Sequence, residues 1–153
     1  MLALIRRILS YKFFPLAFTL LTIILLCLPG SIVPGSGIFD IPNFDKFVHV
    51  VIFGMNVLFW GLHYAYSNPE PSRFRTVVII ATIFMIVLGV AMEYVQKYFV
   101  PNRSFDSWDI VADIAGCVIA AIWLWIIVKG NVKKKVLSNK PQTEAAQRDR
   151  HLS

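Results

Sequence analysis

Charge is scarce in this sequence. Asp, Glu, Lys and Arg make up 16% of its 153 residues, and 57% are hydrophobic. A soluble domain carries about 25% charged and about 45–50% apolar residues. The mean hydropathy of +0.65 is correspondingly high, and the apolar excess lies in blocks, which excludes an ordinary water-soluble domain. Cysteine is nearly absent. Cys27 and Cys117 each lie in an apolar run, so neither a disulfide framework nor a thiolate metal cluster is legible, and both read as small buried hydrophobes. Alternation of apolar and polar residues is missing too. In lipid only helices and closed barrels satisfy the backbone, and without a period of two the choice is helices. No small-x-small cleavage site follows the first apolar run. The next residues are "LPGSIVPGSG", so the run reads as a retained helix and not as a signal peptide.

Four apolar runs are present, at about Phe13–Leu28, Phe47–Tyr66, about Val77–Val100 and Ile110–Val128. A spanning helix needs about 20 residues. The expected fold is therefore all-α, a polytopic four-transmembrane-helix bundle over residues 1–128, followed by a basic, polar tail over residues 129–153 whose composition reads as disordered. Pro15 falls in the first turn of the first run, where proline is tolerated. The preceding "MLALIRRILSYK" is amphipathic and suits the membrane interface.

The net charge of +6 could point to nucleic acid, but the basic residues stand at the ends of the apolar runs and in no soluble module, so no nucleic-acid partner is expected. Twelve of the fifteen lie before the first run, between the second and third, or after the fourth. The opposite side keeps only Lys46, Lys97 and Arg103. The positive-inside rule then puts both termini in the cytoplasm.

This topology gathers the ionisable residues that interrupt the apolar runs. Asp45, Lys46 and His49 open the second helix. Glu93 and Gln96 end the third. Arg103 and Asp106 stand in the following loop, and Asp109 and Asp113 open the fourth helix. All belong to the outer third of the bundle. Asp45 and His49, four apart, share a helix face, so Asp45 is placed to orient the imidazole. Ala112, Gly116 and Ala120 form a stripe of small residues that lets helices approach closely and turns the acids of the fourth helix inward. A charge at the centre of a span costs about 2.5–3.5 kcal/mol, and Arg103, Lys46 and His49 are the available compensating groups, with Arg103 expected to pair with Glu93, Asp106 or Asp109. Two readings stand side by side: a structural polar cluster, or a site. As a site, His49, Glu93 and Asp109 suit acid–base catalysis, with a hydrogen bond or shared metal between His49 and Glu93. The same three residues suit a divalent metal. No resident cofactor is named by the sequence. Asp45, Lys46, Gln96, Arg103, Asp106 and Asp113 suit substrate binding, the two cations toward phosphate or carboxylate. His49, Asn56 and His63 recur at seven-residue steps and form a thin stripe for an ion or proton path.

"DKFVHVVIFG" together with "EYVQKYFVPNRSFDSWDIVADIAG" resembles the VanZ-like family of small membrane proteins. That family shows Asp-Lys-x-x-His opening one helix, Glu-x-x-Gln at a helix end, an Arg-containing loop, and an Asp leading into a helix with an Asn and glycines. The matching residues are Asp45, Lys46, His49, Glu93, Gln96, Arg103, Asp106, Asp109 and Gly116, and the resemblance covers about Asp45–Ala120. Asp113 stands where the family commonly has Asn, and Ala120 where it has Gly. The resemblance implies a multi-pass protein of the bacterial cytoplasmic membrane, linked through the family's name to tolerance of the glycopeptide teicoplanin. It leaves the reaction open. The implied partners are the bilayer and a lipid-linked envelope precursor. A binding module, a hydrolase or transferase acting on a lipid head group, and an ion path are the competing functions, and the oligomeric state is not legible.

Overall fold

The computed structural model describes residues 11–29, 43–67 and 71–127. Among them are four helices and no strand: α1 (Phe13–Leu26), α2 (Phe44–Ser67), α3 (Pro71–Phe99) and α4 (Ser107–Ile127). The basic tail, the amphipathic N-terminal segment and most of the first loop lie outside the described residues.

Three helices, α2, α4 and the part of α3 from Arg73 to Phe99, are long and apolar enough to cross a membrane, and the architecture is that of a multi-pass membrane protein. The first apolar run forms a helix of 14 residues, about 21 Å long at about 1.5 Å per residue. That is less than the roughly 30 Å of a hydrocarbon core. It ends at Leu26, just ahead of Pro29, whose ring disfavours helical backbone in the residue before it.

Each helix buries one stripe. On α1 it is Pro15, Thr19, Thr22 and Leu26. On α3 it runs from Phe74 through Val78, Ala81 and Met85 to Met92 and Gln96. On α4 it comprises Asp109, Ala112, Asp113, Cys117, Ala120 and Leu124. Spacings of three and four place these residues on one face. The outward faces are apolar instead: Ile80, Ile83 and Val87 on α3, and Ile119, Ile122 and Ile126 on α4, are exposed. A molecule with isoleucine outside and His, Asn, Glu and Asp inside suits lipid as its solvent. Cys117 lies in this core, whereas Cys27, expected to be buried, is exposed at the end of α1.

Two features bring the helices together. A Cβ built on Gly116 would lie 2.2 Å from the Val50 carbonyl oxygen, so α2 and α4 touch backbone to backbone there. Only glycine permits that approach. Between α1 and α2, Asn56 donates from Nδ2 to Thr22 Oγ1 and to the Ile52 carbonyl, both at 2.9 Å, and its Oδ1 accepts from Thr19 Oγ1 at 2.8 Å. Trp60 Nε1 donates to the same threonine at 3.2 Å. Asn56 is fully buried, and this clasp satisfies its amide. It also closes the stripe expected to link His49 to His63.

Candidate functional site

The start of α2, the end of α3 and the start of α4 meet at one end of the bundle, the polar end. Asp106 begins the construction. Its Oδ1 accepts from the Trp108 N–H at 2.9 Å and caps α4. Its own backbone N–H donates to Glu93 Oε1. Its Oδ2 meets Lys46 Nζ at 2.6 Å. One residue thus ties the N-terminus of α4 to both α3 and α2. The Lys46 ammonium, with help from the Trp108 N–H, holds the Asp106 carboxyl below its ordinary range. The loop that delivers it turns at Asn102, whose φ of 59° lies in the left-handed region that asparagine tolerates.

Lys46 is the centre of the cluster. Besides Asp106, Nζ lies 2.9 Å from Asp45 Oδ2 and 3.1 Å from Asp109 Oδ1. The carboxylates of Asp45, Asp106 and Asp109 converge within 4.8 Å of one another, and the tethered ammonium sits among them. The expected metal donors, His49, Glu93 and Asp109, do not form such a group among the described residues. Glu93 is turned to the backbone of Asp106, and the donor set that does converge already carries its own cation.

His49 lies deeper. Its Nδ1 is 2.9 Å from Asp113 Oδ1, and its Nε2 is 3.9 Å from Asp109 Oδ2, beyond hydrogen-bond reach. All three residues are buried, none more than 5% exposed. With Asp113 ionised, its carboxylate only accepts and the hydrogen of this bond sits on Nδ1. The orienting residue is therefore Asp113 from α4 and not Asp45, which is half exposed and paired with Lys46. Room for the Asp113 carboxylate comes from α3, where a Cβ on Gly89 would stand 2.5 Å from Oδ2. Asp109 joins the two halves, one oxygen on Lys46 and the other facing His49. Glu93 does not bond to His49.

The remaining expected site residues separate. Gln96, buried, donates from Nε2 to the Leu26 carbonyl at 3.0 Å and ties α3 to the end of α1. Arg103 is the opposite case. The carboxylates expected to pair with it bond elsewhere, and its buried Nε has no hydrogen-bond partner. Thr19 and Thr22 were not singled out by sequence, because hydroxyls in apolar helices usually bond to their own i−4 carbonyl. They do so here, to Pro15 and Phe18, and reach Asn56 as well. Their four-and-three spacing with Pro15 and Leu26 was the available signal.

No family model, curated protein or solved structure matches the chain.

Proposed function

We propose that the protein is a VanZ-like membrane protein of a bacterial envelope. In this reading the chain crosses the cytoplasmic membrane four times with both ends in the cytoplasm, and its polar end faces outward. There it binds or modifies a lipid-linked envelope molecule or a lipoglycopeptide. The motif resemblance and the twelve basic residues on the other side support the location. The observation that carries the binding reading is Arg103. It is a partly buried guanidinium three residues before Asp106 in the chain, the acids are occupied by Lys46, the Asp106 N–H and His49, and its Nε is unpartnered. An arginine so placed suits a phosphate or carboxylate. Unused oxygens of the neighbouring carboxylates suit the hydroxyls and amides of a sugar–peptide head group.

Mass spectrometry of lipids retained by the purified protein tests this. Wild type should retain a phosphate-bearing lipid-linked species. Arg103→Ala should lose it by about tenfold, the worth of one charge-assisted hydrogen bond, with an unchanged melting temperature. Equal retention, or no such species in wild type, rejects the reading. A variant that fails to accumulate would assign Arg103 to stability instead.

A hydrolase or transferase acting on a lipid head group is the second reading. The Asp113–His49 bond favours it, since it leaves Nε2 to take a proton from a nucleophile near Asp109. In that case His49→Ala retains the ligand but ends turnover. The ion path ranks last, because Asn56 is closed into the α1–α2 clasp.

A further inference from the structure

At the end of the bundle opposite the polar site, α3 and α4 line a cavity of about 210 Å³. Its walls are apolar, with Phe74 and Val78 on α3 and Ala121 and Ile122 on α4. Ala121 presents only a methyl group to it. At the rim, the Arg75 guanidinium stacks over the Trp125 ring, 5.3 Å from its centroid. This cation–π contact uses the face of the ring and leaves guanidinium N–H groups available to an anion. Arg75 is exposed and has no ion-pair partner among the described residues. It lies one turn into α3, and Trp125 lies two residues before the end of α4. That is the depth at which aromatic and basic side chains meet lipid head groups.

We infer that this groove is a binding site for one anionic phospholipid. An acyl chain fills the space beside Ala121, and the phosphate lies on the Arg75 fork. The argument is charge complementarity at the mouth of an apolar slot. Arg73 stands at the same end, and the sequence next to the helix ends carries Lys129, Lys133, Lys134 and Lys135 against Glu70, an excess of basic residues. A second copy of the chain would bring its own basic end against this one. The inference does not rest on the function proposed for the polar end.

The test uses the full chain, delipidated in detergent and titrated with phosphatidylglycerol or phosphatidylcholine of identical acyl chains, with binding counted by native mass spectrometry. One phosphatidylglycerol should bind about tenfold more tightly than phosphatidylcholine, as expected for one charge-assisted contact. Arg75→Gln should abolish that preference and leave phosphatidylcholine binding unchanged. Ala121→Phe, which fills the slot, should remove both. Should Ala121→Phe not fold, the surface variant Arg75→Gln decides alone. Equal binding of the two lipids by wild type overturns the inference. So does a preference that survives Arg75→Gln and disappears on removal of residues 129–153, which would place it in the tail. A lipid-free dimer dissociated by Ala121→Phe assigns the groove to a second copy and overturns it as well.

Discussion

At the polar end, five carboxylates crowd among three helices, and groups of the same chain meet them: Lys46, His49 and two backbone N–H groups. At the basic end, Arg75 lies on the surface with only an indole beneath it. The difference follows from depth. Asp109, Asp113 and Glu93 are 5% exposed or less, where an unpaired charge costs several kcal/mol. Arg75 is exposed near the end of a candidate span, a position from which a long basic side chain keeps its charge in a polar medium. The acids are therefore fixed by tertiary geometry, whereas Arg75 at the other end keeps its N–H groups for a ligand.

The strongest way to break this contrast is to separate α2 from α4. In Gly116→Leu, the new Cβ would stand 2.2 Å from the Val50 carbonyl. The helices must part, and the His49–Asp113 and Lys46–Asp109 bonds go with them. Overpacking of this kind costs about 1–3 kcal/mol and sometimes more, so the variant should fail to accumulate or melt far below wild type. A near-normal melting temperature in detergent would show that the contact does not hold the polar end together.

A smaller effect is expected from Lys46→Met, which keeps the length of the side chain and strands three carboxylates. A loss of about 1–3 kcal/mol is expected. Adding Asp109→Asn should recover part of it, because the two residues are coupled. Arg75→Gln at the basic end should stay within about 0.5 kcal/mol of wild type. Chemical denaturation in one detergent compares wild type, Lys46→Met, Asp109→Asn, their double variant and Arg75→Gln. Additive losses for Lys46 and Asp109, or equal losses for Lys46 and Arg75, would dissolve the distinction between the ends.

The smallest effect is a pH dependence. The folded-state pKa of Asp106 lies below its ordinary value. Its ionised form therefore contributes stability above about pH 3.9, and that contribution is lost as pH falls through the lower folded value. The gap in melting temperature between wild type and Asp106→Asn should hold from pH 7 to pH 5 and close toward pH 3. A gap that does not change with pH would mean that Asp106 acts only as a cap.

Much of the helix layout was legible in the residues, since long apolar runs in lipid leave the backbone little choice. The gathering of acids at one end followed from alternating helix direction. What could not be read was the pairing within that end. Arg103 was expected to pair with an acid because it is the only arginine at that end. Lys46 takes the place from 60 and 63 residues away, because the start of α2 lies against the start of α4. Asp45 shares a helical face with His49, but that face turns outward at Asp45. Asp113 reaches the imidazole from across the helix pair, a relation that depends on the missing side chains of Gly89 and Gly116. Glu93 was read as a partner for side chains. Its observed partner is a backbone N–H, which every residue but proline carries and which no residue pattern singles out.

The triple role of Asp106 bears on how this chain can vary. Its carboxylate and backbone N–H engage α2, α3 and α4 at once, so the stretch from Val100 to Asp106 closes a ring through Glu93. A residue within that ring such as the exposed Ser104 can be exchanged while all three bonds persist, whereas Asn102 is held by its left-handed backbone. A single inserted or deleted residue would shift Asp106 out of register and break them together. Spacing between Glu93 and Asp106, more than the identity of what lies between them, is therefore the inheritable constraint on this loop.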